Sequence, residues 1–511
     1  MSWSSPGAAA TAYANLIYFR VRDGMLINDW KVDWENEPLT HSFYKTSRVF
    51  PCWLPTQGSS CLASSTSSVQ QIALLLYTIY GFTGLRLVVN RNDRPEVYTK
   101  MAAVKYGRHT ASGGGRYCAD FYLIESGRNS ELPAGVYHYS PLRHTWEQLY
   151  TGDITMNVAA AQKYTNVAER YLIMTIDYWR SGFKYNDFAY QAASMDIGTA
   201  IGSISQILGS RTANTWDMWI NEVELAKFLN LNPLRIGIYL VQGWGKTIAY
   251  EEPHIPQVKN IPARISSLNS NIVDFDTTTA LQNDMQHFPA RPEFFAVKTV
   301  DFKGSYKEIE RTWSPLHRRQ TSFGRFTGKS YSSDTLMSIL GTADLALQQF
   351  TITSSDRLSV IVEKLVYITN IDGISPGLYR YNSISKSLEE ISNSAQDDFL
   401  AGTYFLKNYD GRKAAATIIL CGNLFNCVNK WKVRGYRYVN AIIGAICQTM
   451  SVEAARHGIG TGAALGFDAK AHAEHAGLNK DTMTPLLMLM TGVDILHAGE
   501  FKTDVLPKSE L

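Results

Sequence analysis

Cysteine, net charge and long apolar runs are all scarce in this chain of 511 residues. Its six cysteines contain no CxxC pair, which argues against a dense disulfide framework and favours free thiols in a reducing compartment. A formal net charge of +3 leaves no footprint for nucleic acid or an anionic membrane surface. No uncharged apolar run approaches the about 20 residues of a membrane span, and the N-terminus lacks a secretion signal. A cytoplasmic protein without nucleic-acid or membrane partners is therefore expected.

Several catalytic signatures are also missing. The sequence has no Walker loop, no G-x-S-x-G nucleophile elbow and no convincing set of metal ligands, so no metal site is predicted. What remains is an ordinary globular composition, with 45% apolar and 19% charged residues. A chain of this length exceeds a single hydrophobic core, so two or more domains are expected.

Two pairs of similar segments recur in the same order along the chain. Residues 132–149 read LPAGVYHYSPLRHTWEQL, and residues 374–391 read ISPGLYRYNSISKSLEEI. Farther on, residues 183–207, which begin FKYNDFAY, resemble residues 436–460, which begin YRYVNAII. The preserved order predicts two copies of one fold in tandem. Strands and helices without regular βαβ alternation indicate the α+β class.

The repeats suggest a division of the chain into four parts. Residues 1–60 are rich in Trp and Pro and are expected to form an irregular N-terminal arm that packs on a neighbour. Residues 61–250 and 314–511 are the two predicted domains. Residues 251–313 have little periodicity and many polar residues and prolines, so they are the predicted linker.

Three further segments could carry chemistry. Residues 317–326, HRRQTSFGRF, combine guanidinium and hydroxyl groups that suit a phosphate, although a solvated basic turn is the simpler interpretation. Residues 458–466, GIGTGAALG, could admit a cofactor close to the backbone or could merely end a helix. Residues 112–117, SGGGRY, could present a bare backbone to a flat ligand or form a flexible loop.

Together these segments resemble the nitroreductase-like FMN flavoproteins, specifically the SagB/ThcOx-type azoline dehydrogenases, which include McbC-like oxidases, in a tandem two-copy form. The resemblance includes VDWENEP in the arm and both LPxGxYxY-like turns. It implies an FMN cofactor and a nitroreductase fold whose two copies form an intrachain pseudo-dimer, with the flavin between them. A homodimer of such pseudo-dimers is a further alternative.

The resemblance also implies residues for the flavin site. The phosphate grip and the late glycine loop both match the second copy, at Arg318, Arg319, Ser322, Arg325, Gly460 and Gly462. The loop that the other subunit of the family lends to the flavin matches the first copy, at Ser112, Gly113 and Gly114. We therefore expect one working flavin site per chain and an empty mirror-image site. Members of the family often have a basic residue after the last strand that helps to hold the phosphate. The corresponding segment of the second copy reads TGVDILHAG and contains no Lys or Arg.

A Lys-Tyr pair before the interface helix is the expected catalytic pair of such dehydrogenases, and it matches Lys184 and Tyr185. The repeat pairs these residues with Arg437 and Tyr438 in the second copy. Arginine stays protonated and cannot act as a base, whereas lysine can if burial lowers its pKa. Which of Lys184 and Tyr185 is the base stays open, and an ordinary interfacial pair is the simpler alternative.

The implied reaction converts a peptide thiazoline or oxazoline to a thiazole or oxazole in natural-product biosynthesis, with molecular oxygen reoxidising the flavin. The peptide substrate could be ribosomal, with a leader peptide, or tethered to the carrier protein of a nonribosomal peptide synthetase. Three alternatives stay open: an NAD(P)H-dependent nitro or quinone reductase, a peptide Cα–Cβ dehydrogenase, and a scaffold without catalytic activity.

Overall fold

The structure, a computed structural model, describes most of the chain. The described residues are 7–21, 30–45, 48–52, 68–82, 84–87, 104–213, 215–253, 261–266, 272–287, 294–300, 314–322, 326–350, 360–405, 409–494 and 501–504. Arg325, one of the residues expected to hold the phosphate, lies outside them.

The helices of this part of the chain are distributed over both predicted domains and the segments around them. They are α1 (Ala8–Tyr18), α2 (Ser68–Tyr80), α3 (Thr155–Gln162), α4 (Tyr178–Tyr185), α5 (Ala189–Leu208), α6 (Glu222–Leu229), α7 (Asp276–His287), α8 (Ser333–Gln349), α9 (Asp397–Thr403), α10 (Leu424–Arg456) and α11 (Ala469–His475). Short 3-10 turns lie at Trp34–Asn36, Gly113–Gly115, Asn186–Phe188, Gly209–Thr212 and Gly411–Lys413.

The strands fall into two groups that follow the order of the repeats. The first group is β1 (Phe43–Tyr44), β2 (Val49–Pro51), β3 (Gly84–Leu87), β4 (Val104–Gly107), β5 (Ala119–Glu125), β6 (Gly135–Ser140), β7 (Thr145–Thr151), β8 (Asn166–Asp177), β9 (Trp216–Asp217), β10 (Ile236–Ala249), β11 (Arg264–Ile265) and β12 (Thr299–Val300). The second group is β13 (Tyr331–Ser332), β14 (Val362–Ile368), β15 (Ile371–Asp372), β16 (Gly377–Asn382), β17 (Ser387–Ser392), β18 (Ala416–Gly422), β19 (Gly460–Ala464), β20 (Thr484–Gly492) and β21 (Phe501–Asp504).

The two main sheets share one topology. In the first, the strands lie in the order β7-β6-β5-β8-β10, and β9 pairs with β10. In the second, the order is β17-β16-β14-β18-β20-β19. Every one of these neighbouring pairs is antiparallel. Matching order and direction over six strands confirm that the chain is a tandem duplication of one α+β fold.

The copies meet along two long helices, α5 and α10, which pack against each other at small residues. A Cβ on Gly198 would overlap the carbonyl oxygen of Ala441, and a Cβ on Gly444 would overlap that of Met195. The same sequence offset relates Gly198 to Gly444 and Met195 to Ala441. The interface is therefore a pseudo-two-fold one, and its close approach of backbones requires glycine at both positions.

This symmetry corrects the pairing of the copies around the interface helix. The same offset relates Asn186, with φ 45° and ψ −128°, to Lys432, with φ 52° and ψ −134°, so both copies break the helix at equivalent points. The counterparts of Lys184 and Tyr185 are therefore Lys430 and Trp431, not Arg437 and Tyr438. The sequence comparison was wrong by about two helical turns. A shift of that size returns to the same face of the helix, so the apolar positions of the two copies still coincide.

Arg437 has a different role from the one expected by that pairing. Its guanidinium lies in the buried interface, where it pairs with the Glu222 carboxylate and donates to the hydroxyl oxygens of Tyr190 at 2.7 Å and Tyr178 at 2.8 Å. These partners all belong to the first copy. Arg437 therefore joins the two copies structurally.

The arm and the predicted linker both contain regular structure. Helix α1 packs on α10 through residues such as Tyr13 and Ala14, and α7 buries Leu281 and Met285. The strand β12 pairs in parallel with β10. The expectation that residues 1–60 would be irregular is wrong for α1, because tertiary packing orders a short helix whose apolar pattern does not by itself predict one.

Among the described residues, no helix combines the length and apolar character that a membrane span requires.

The close helix contact yields a stability prediction. Gly198→Ala places a methyl group on the Ala441 carbonyl, which no side-chain rotation relieves, so we expect a loss of about 3 kcal/mol and a clearly lower melting temperature. Gly341→Ala in α8 is the control, since the nearest atom to its Cβ is the Tyr381 hydroxyl at 3.9 Å. That helical glycine should tolerate alanine and gain about 0.5–1 kcal/mol. Equal melting temperatures for the two variants, measured by circular dichroism, would contradict the packing described.

Candidate functional site

The loop that follows β4 crosses the interface and is held by the first copy through Asp196 on α5. The Ser112 hydroxyl donates to one Asp196 carboxylate oxygen at 2.5 Å, and the Gly113 N–H donates to the other at 2.8 Å. The Ser112 oxygen in turn accepts the Tyr117 N–H at 2.8 Å. The Cys118 thiol lies 3.3 Å from the same carboxylate. Asp196 thus fixes both ends of the three-glycine turn.

Burial raises the pKa of the Asp196 carboxyl to about 6, while the hydrogen bonds from Ser112, Gly113 and Cys118 act in the opposite direction. The carboxylate is mostly ionised at neutral pH and loses its charge in mildly acidic solution. It is the single charged residue in the sequence of α5. That lone charge on an apolar helix was the sequence signal for Asp196, and our sequence reasoning missed it.

The second copy holds the same loop from the other side. The side-chain amide of Gln448 accepts the Ala111 N–H at 3.1 Å and donates to the His109 carbonyl at 3.3 Å. Arg319 also donates to the His109 carbonyl, at 2.9 Å from Nε. The His109 and His317 rings meet at 3.2 Å between Nε2 and Nδ1. Residues 109–113 are therefore clamped between the two copies.

Lys184 and Tyr185 lie directly against this loop, at the end of α4. A Cβ on Gly114 would overlap the Tyr185 hydroxyl and lie 2.8 Å from the Lys184 ammonium nitrogen. Gly114 has φ 60°, a left-handed conformation that favours glycine. Lys184 Nζ lies 5.5 Å from the centroid of the Tyr185 ring. The structure thus brings together the loop and the pair that the sequence placed in one site.

The Tyr185 phenol is held in its neutral form. Burial raises its pKa well above the usual value, the negative charge of Asp196 adds to the increase, and Arg116 opposes it. Its ring packs edge-on against Phe188, with centroids 6.1 Å apart. At neutral pH Tyr185 is consequently a hydrogen-bond donor, not a base.

The N-terminal arm packs beside Lys184 and the glycine turn. Trp30 donates its indole N–H to the carbonyl of Phe183 at 2.9 Å, next to Lys184. Glu37 pairs with Arg116, which follows the glycine turn. The part of the arm from Trp30 to Glu37 therefore packs on the first copy of its own chain, beside Lys184 and Tyr185.

The predicted phosphate segment lies against the late glycine strand of its own copy. Thr321 bridges Thr461, and the Ser322 N–H donates to the Thr461 carbonyl at 2.9 Å. A Cβ on Gly460 would overlap the Ser322 hydroxyl oxygen. Ser322 is buried, Arg319 is half-buried and Arg318 is exposed. Ser322 and Gly460 thus share one small region of the second copy.

Two details differ from the expected grip. The same Cβ on Gly460 would also overlap a carboxylate oxygen of Asp494, so an acidic group stands beside Ser322 after the last strand. Gly462 faces the ring of Tyr409, whose Cζ would lie 2.9 Å from a Cβ at that position. The small size of Gly462 is needed for packing on Tyr409.

The mirror-image region of the interface is built differently. Lys430 retains the arrangement of Lys184, with Nζ 5.4 Å from the centroid of the neighbouring Trp431 ring. Trp219, which the sheet register matches to Gly466 of the other copy, lies 5.0 Å from Trp431 between ring centroids. Trp219 is 6% exposed. A buried indole therefore stands at the position where the other copy has a glycine.

The Asp196 carboxylate is also missing from the mirror-image region. The offset that relates the interface helices places Ile442 there, and Ile442 is buried. Because isoleucine accepts no hydrogen bond, the second copy cannot hold a loop in the way Asp196 does. The part of the second copy that corresponds to the Ser112–Gly115 loop lies outside the described residues.

Comparison with known proteins defines the fold. The model of the Nitroreductase family matches residues 327–493, within the second copy. A candidate nitroreductase from Anabaena variabilis matches with a TM-score of 0.69 and 17% identity over 95% of this chain and 99% of its own. The chain therefore has the nitroreductase fold, present as a tandem pair, and its likeness to the Anabaena protein extends over nearly all of both chains.

Other solved structures match a single copy. A candidate nitroreductase from Ralstonia eutropha aligns over 36% of this chain and 84% of its own, with 17% identity and a TM-score of 0.29. The McbBCD microcin synthetase complex of E. coli, with truncated pro-MccB17 bound, aligns over 35% of this chain and 70% of its own, with 18% identity and a TM-score of 0.28. No curated protein matches the chain.

Proposed function

We propose that the chain is an FMN-dependent oxidoreductase that dehydrogenates thiazoline or oxazoline rings of a peptide, at one composite site per chain. The observation that carries this proposal is the contact of the Gly114 backbone with the Tyr185 hydroxyl and Lys184 Nζ, in a loop that Gln448 and Arg319 clamp from the other copy. The azoline specificity rests on the resemblance of the Lys-Tyr pair and its surrounding motifs.

The residues present suit FMN in two respects. The three-glycine turn lies at the interface between the copies, and a Cβ at Gly115 would meet no atom within 4 Å, so one side of the turn leaves room for a flat ring. Arg318 is exposed and lies four residues before Ser322, so this segment contains a cation and a hydroxyl group of the kinds that bind a phosphate. Asp494 beside Ser322 would repel a phosphate, and it makes the grip weaker than one with a basic residue.

The proposed reaction removes two hydrogens from the azoline ring. Lys184 takes the Cα proton at Nζ, which requires its neutral amine. FMN, when bound, accepts the two electrons with the Cβ hydrogen. Tyr185, kept neutral by burial, donates a hydrogen bond that orients the ring or stabilises negative charge developing on it. These roles leave Lys184 as the base of the pair.

The proposal is tested by offering the pure protein a synthetic peptide that contains one thiazoline, both free and attached to a carrier protein. We expect a yellow protein that forms the thiazole, detected by mass spectrometry as the loss of two hydrogen atoms, with consumption of oxygen. Rapid bleaching of the flavin by NAD(P)H without thiazole formation would favour a nitro or quinone reductase. A colourless protein that cannot be loaded with FMN would favour a scaffold.

A further inference from the structure

Asp196 combines deep burial with a central position in the candidate site. Asp196 is 6% exposed, and its two carboxylate oxygens accept from the Ser112 hydroxyl and the Gly113 N–H at the start of one turn. That turn must place Gly114 at φ 60°, against Lys184 and Tyr185. A charge buried in this way is costly unless its hydrogen bonds are complete, so its position serves the loop and not the stability of α5.

The groups that face the carboxylate come from several elements. Burial raises the pKa values of Tyr80 on α2, Cys118 before β5 and Tyr185 on α4, and the negative charge of Asp196 adds to each increase. Ser112 approaches from the loop itself. The carboxylate is thus surrounded by hydroxyl and thiol groups, and its charge favours the protonated form of each.

The two copies differ at the position of Asp196, and the carboxylate is present in the copy that also carries the other expected site residues on this side of the interface. The copy that carries Lys184, Tyr185 and the three-glycine turn has Asp196. The other copy has Lys430 and Trp431, with Ile442 in place of the carboxylate. A residue needed merely to pack α5 on α10 would not have to differ in charge between two helices that contact each other symmetrically.

We propose that Asp196 is the positioning residue of the composite site, which holds the Ser112–Gly114 backbone against Lys184 and Tyr185. The expected effect on turnover rests on the proposed function, whereas the expected effect on the loop rests on the hydrogen bonds of Asp196. Asp196 acts through the loop and takes no proton from the substrate. Protonation of Asp196 places a hydrogen on one of the two accepting oxygens, so the hydrogen bond at that oxygen is weakened or reversed and the turn loosens.

The test compares Asp196→Asn with Asp217→Asn. Asp217 is a matched control, because it is also a buried carboxylate that accepts two hydrogen bonds, from the Tyr164 hydroxyl at 2.7 Å and the Trp219 N–H at 3.0 Å. We expect Asp196→Asn to lower kcat at least tenfold and to remove an acidic limb near pH 6 that the unmodified protein shows. Asp217→Asn should keep that limb.

Thermal stability supplies a readout that needs neither substrate nor turnover. The pKa of Asp196 is raised on folding, so its contribution to stability is present below the usual carboxyl pKa and is lost as the pH rises through about 6. Asp196→Asn removes this loss. Its melting temperature should therefore match or exceed that of the unmodified protein above pH 6, even though its activity falls.

The outcomes separate this inference from the proposed function. Unchanged kcat and an unchanged pH profile in Asp196→Asn would overturn the positioning role. If no azoline is oxidised by any form, the circular dichroism of bound FMN still tests the loop, since a loosened turn alters the flavin signal. An unaltered signal in both Asp196→Asn and Ser112→Ala, which removes one donor, would also overturn it.

Discussion

Lys184→Ala is expected to lower the rate of azoline oxidation about a thousandfold while FMN stays bound. The substitution removes the single group of the pair that can accept a proton, and it leaves the loop bonds of Ser112 and Gly113 to Asp196 intact. Stopped-flow absorbance of the flavin under anaerobic conditions, with a thiazoline peptide, measures this step directly. FMN content is measured by absorbance after denaturation.

Lys430→Ala is the matched control for this change. Lys430 is the pseudo-symmetric counterpart of Lys184, with the same placement over its aromatic neighbour. It belongs to the mirror-image region, so its loss should leave turnover unchanged.

Tyr185→Phe keeps the ring packing on Phe188 and removes the hydroxyl donor. We expect it to lower the rate of azoline oxidation about tenfold to a hundredfold. Full turnover in both Lys184→Ala and Tyr185→Phe would end the assignment of this pair.

Gly114→Ala should have the second large effect, and Gly115→Ala should isolate its cause. Both glycines have positive φ values, 60° and 69°, so alanine costs about 1–2 kcal/mol of backbone strain at either position. A Cβ on Gly114 additionally overlaps the Tyr185 hydroxyl and approaches Lys184, whereas a Cβ on Gly115 has no atom within 4 Å. The two variants therefore share the backbone strain and differ in steric contact with Lys184 and Tyr185.

We expect Gly114→Ala to lose at least a hundredfold in kcat/KM and to bind FMN more weakly, because the turn must move away from the pair. Gly115→Ala should show a lower melting temperature with kcat/KM within about threefold of the unmodified protein. Steady-state kinetics and FMN titration on the two purified variants measure the difference. Similar losses of activity in both variants would show that strain in the turn, and not contact with Lys184 and Tyr185, controls the site.

The duplication could be predicted from the sequence because its strand-turn-strand segments, 132–149 and 374–391, kept both glycine and alternating tyrosines. The pairing of the interface helices could not, because small and apolar residues repeat along α5 and α10 at helical spacing and fit in more than one alignment. The features that fix the alignment are conformational. They are the positive φ values at Asn186 and Lys432 and the backbone contacts at Gly198 and Gly444.

The candidate site was predictable in part. Ser112–Gly114 and Lys184–Tyr185 are far apart in sequence, and the structure places them against each other at Gly114; their roles in one site stay a prediction. Asp196 and Gln448 were missed, since each lies in an apolar helix where sequence patterns indicate packing, and only the folded interface shows that they hold the loop. Gly462 was expected beside the cofactor, whereas its contact with Tyr409 depends on a chain segment distant in sequence.

The number of FMN molecules bound per chain tests the central claim of one composite site most directly. Trp219 stands at the position where the other copy has Gly466, and Ile442 replaces the carboxylate that holds the loop, so the mirror-image region lacks two features of the proposed site. We predict one FMN per chain after saturation with the cofactor and removal of the excess, measured by flavin absorbance against protein concentration from amino-acid analysis. Two FMN per chain, or none, would contradict it.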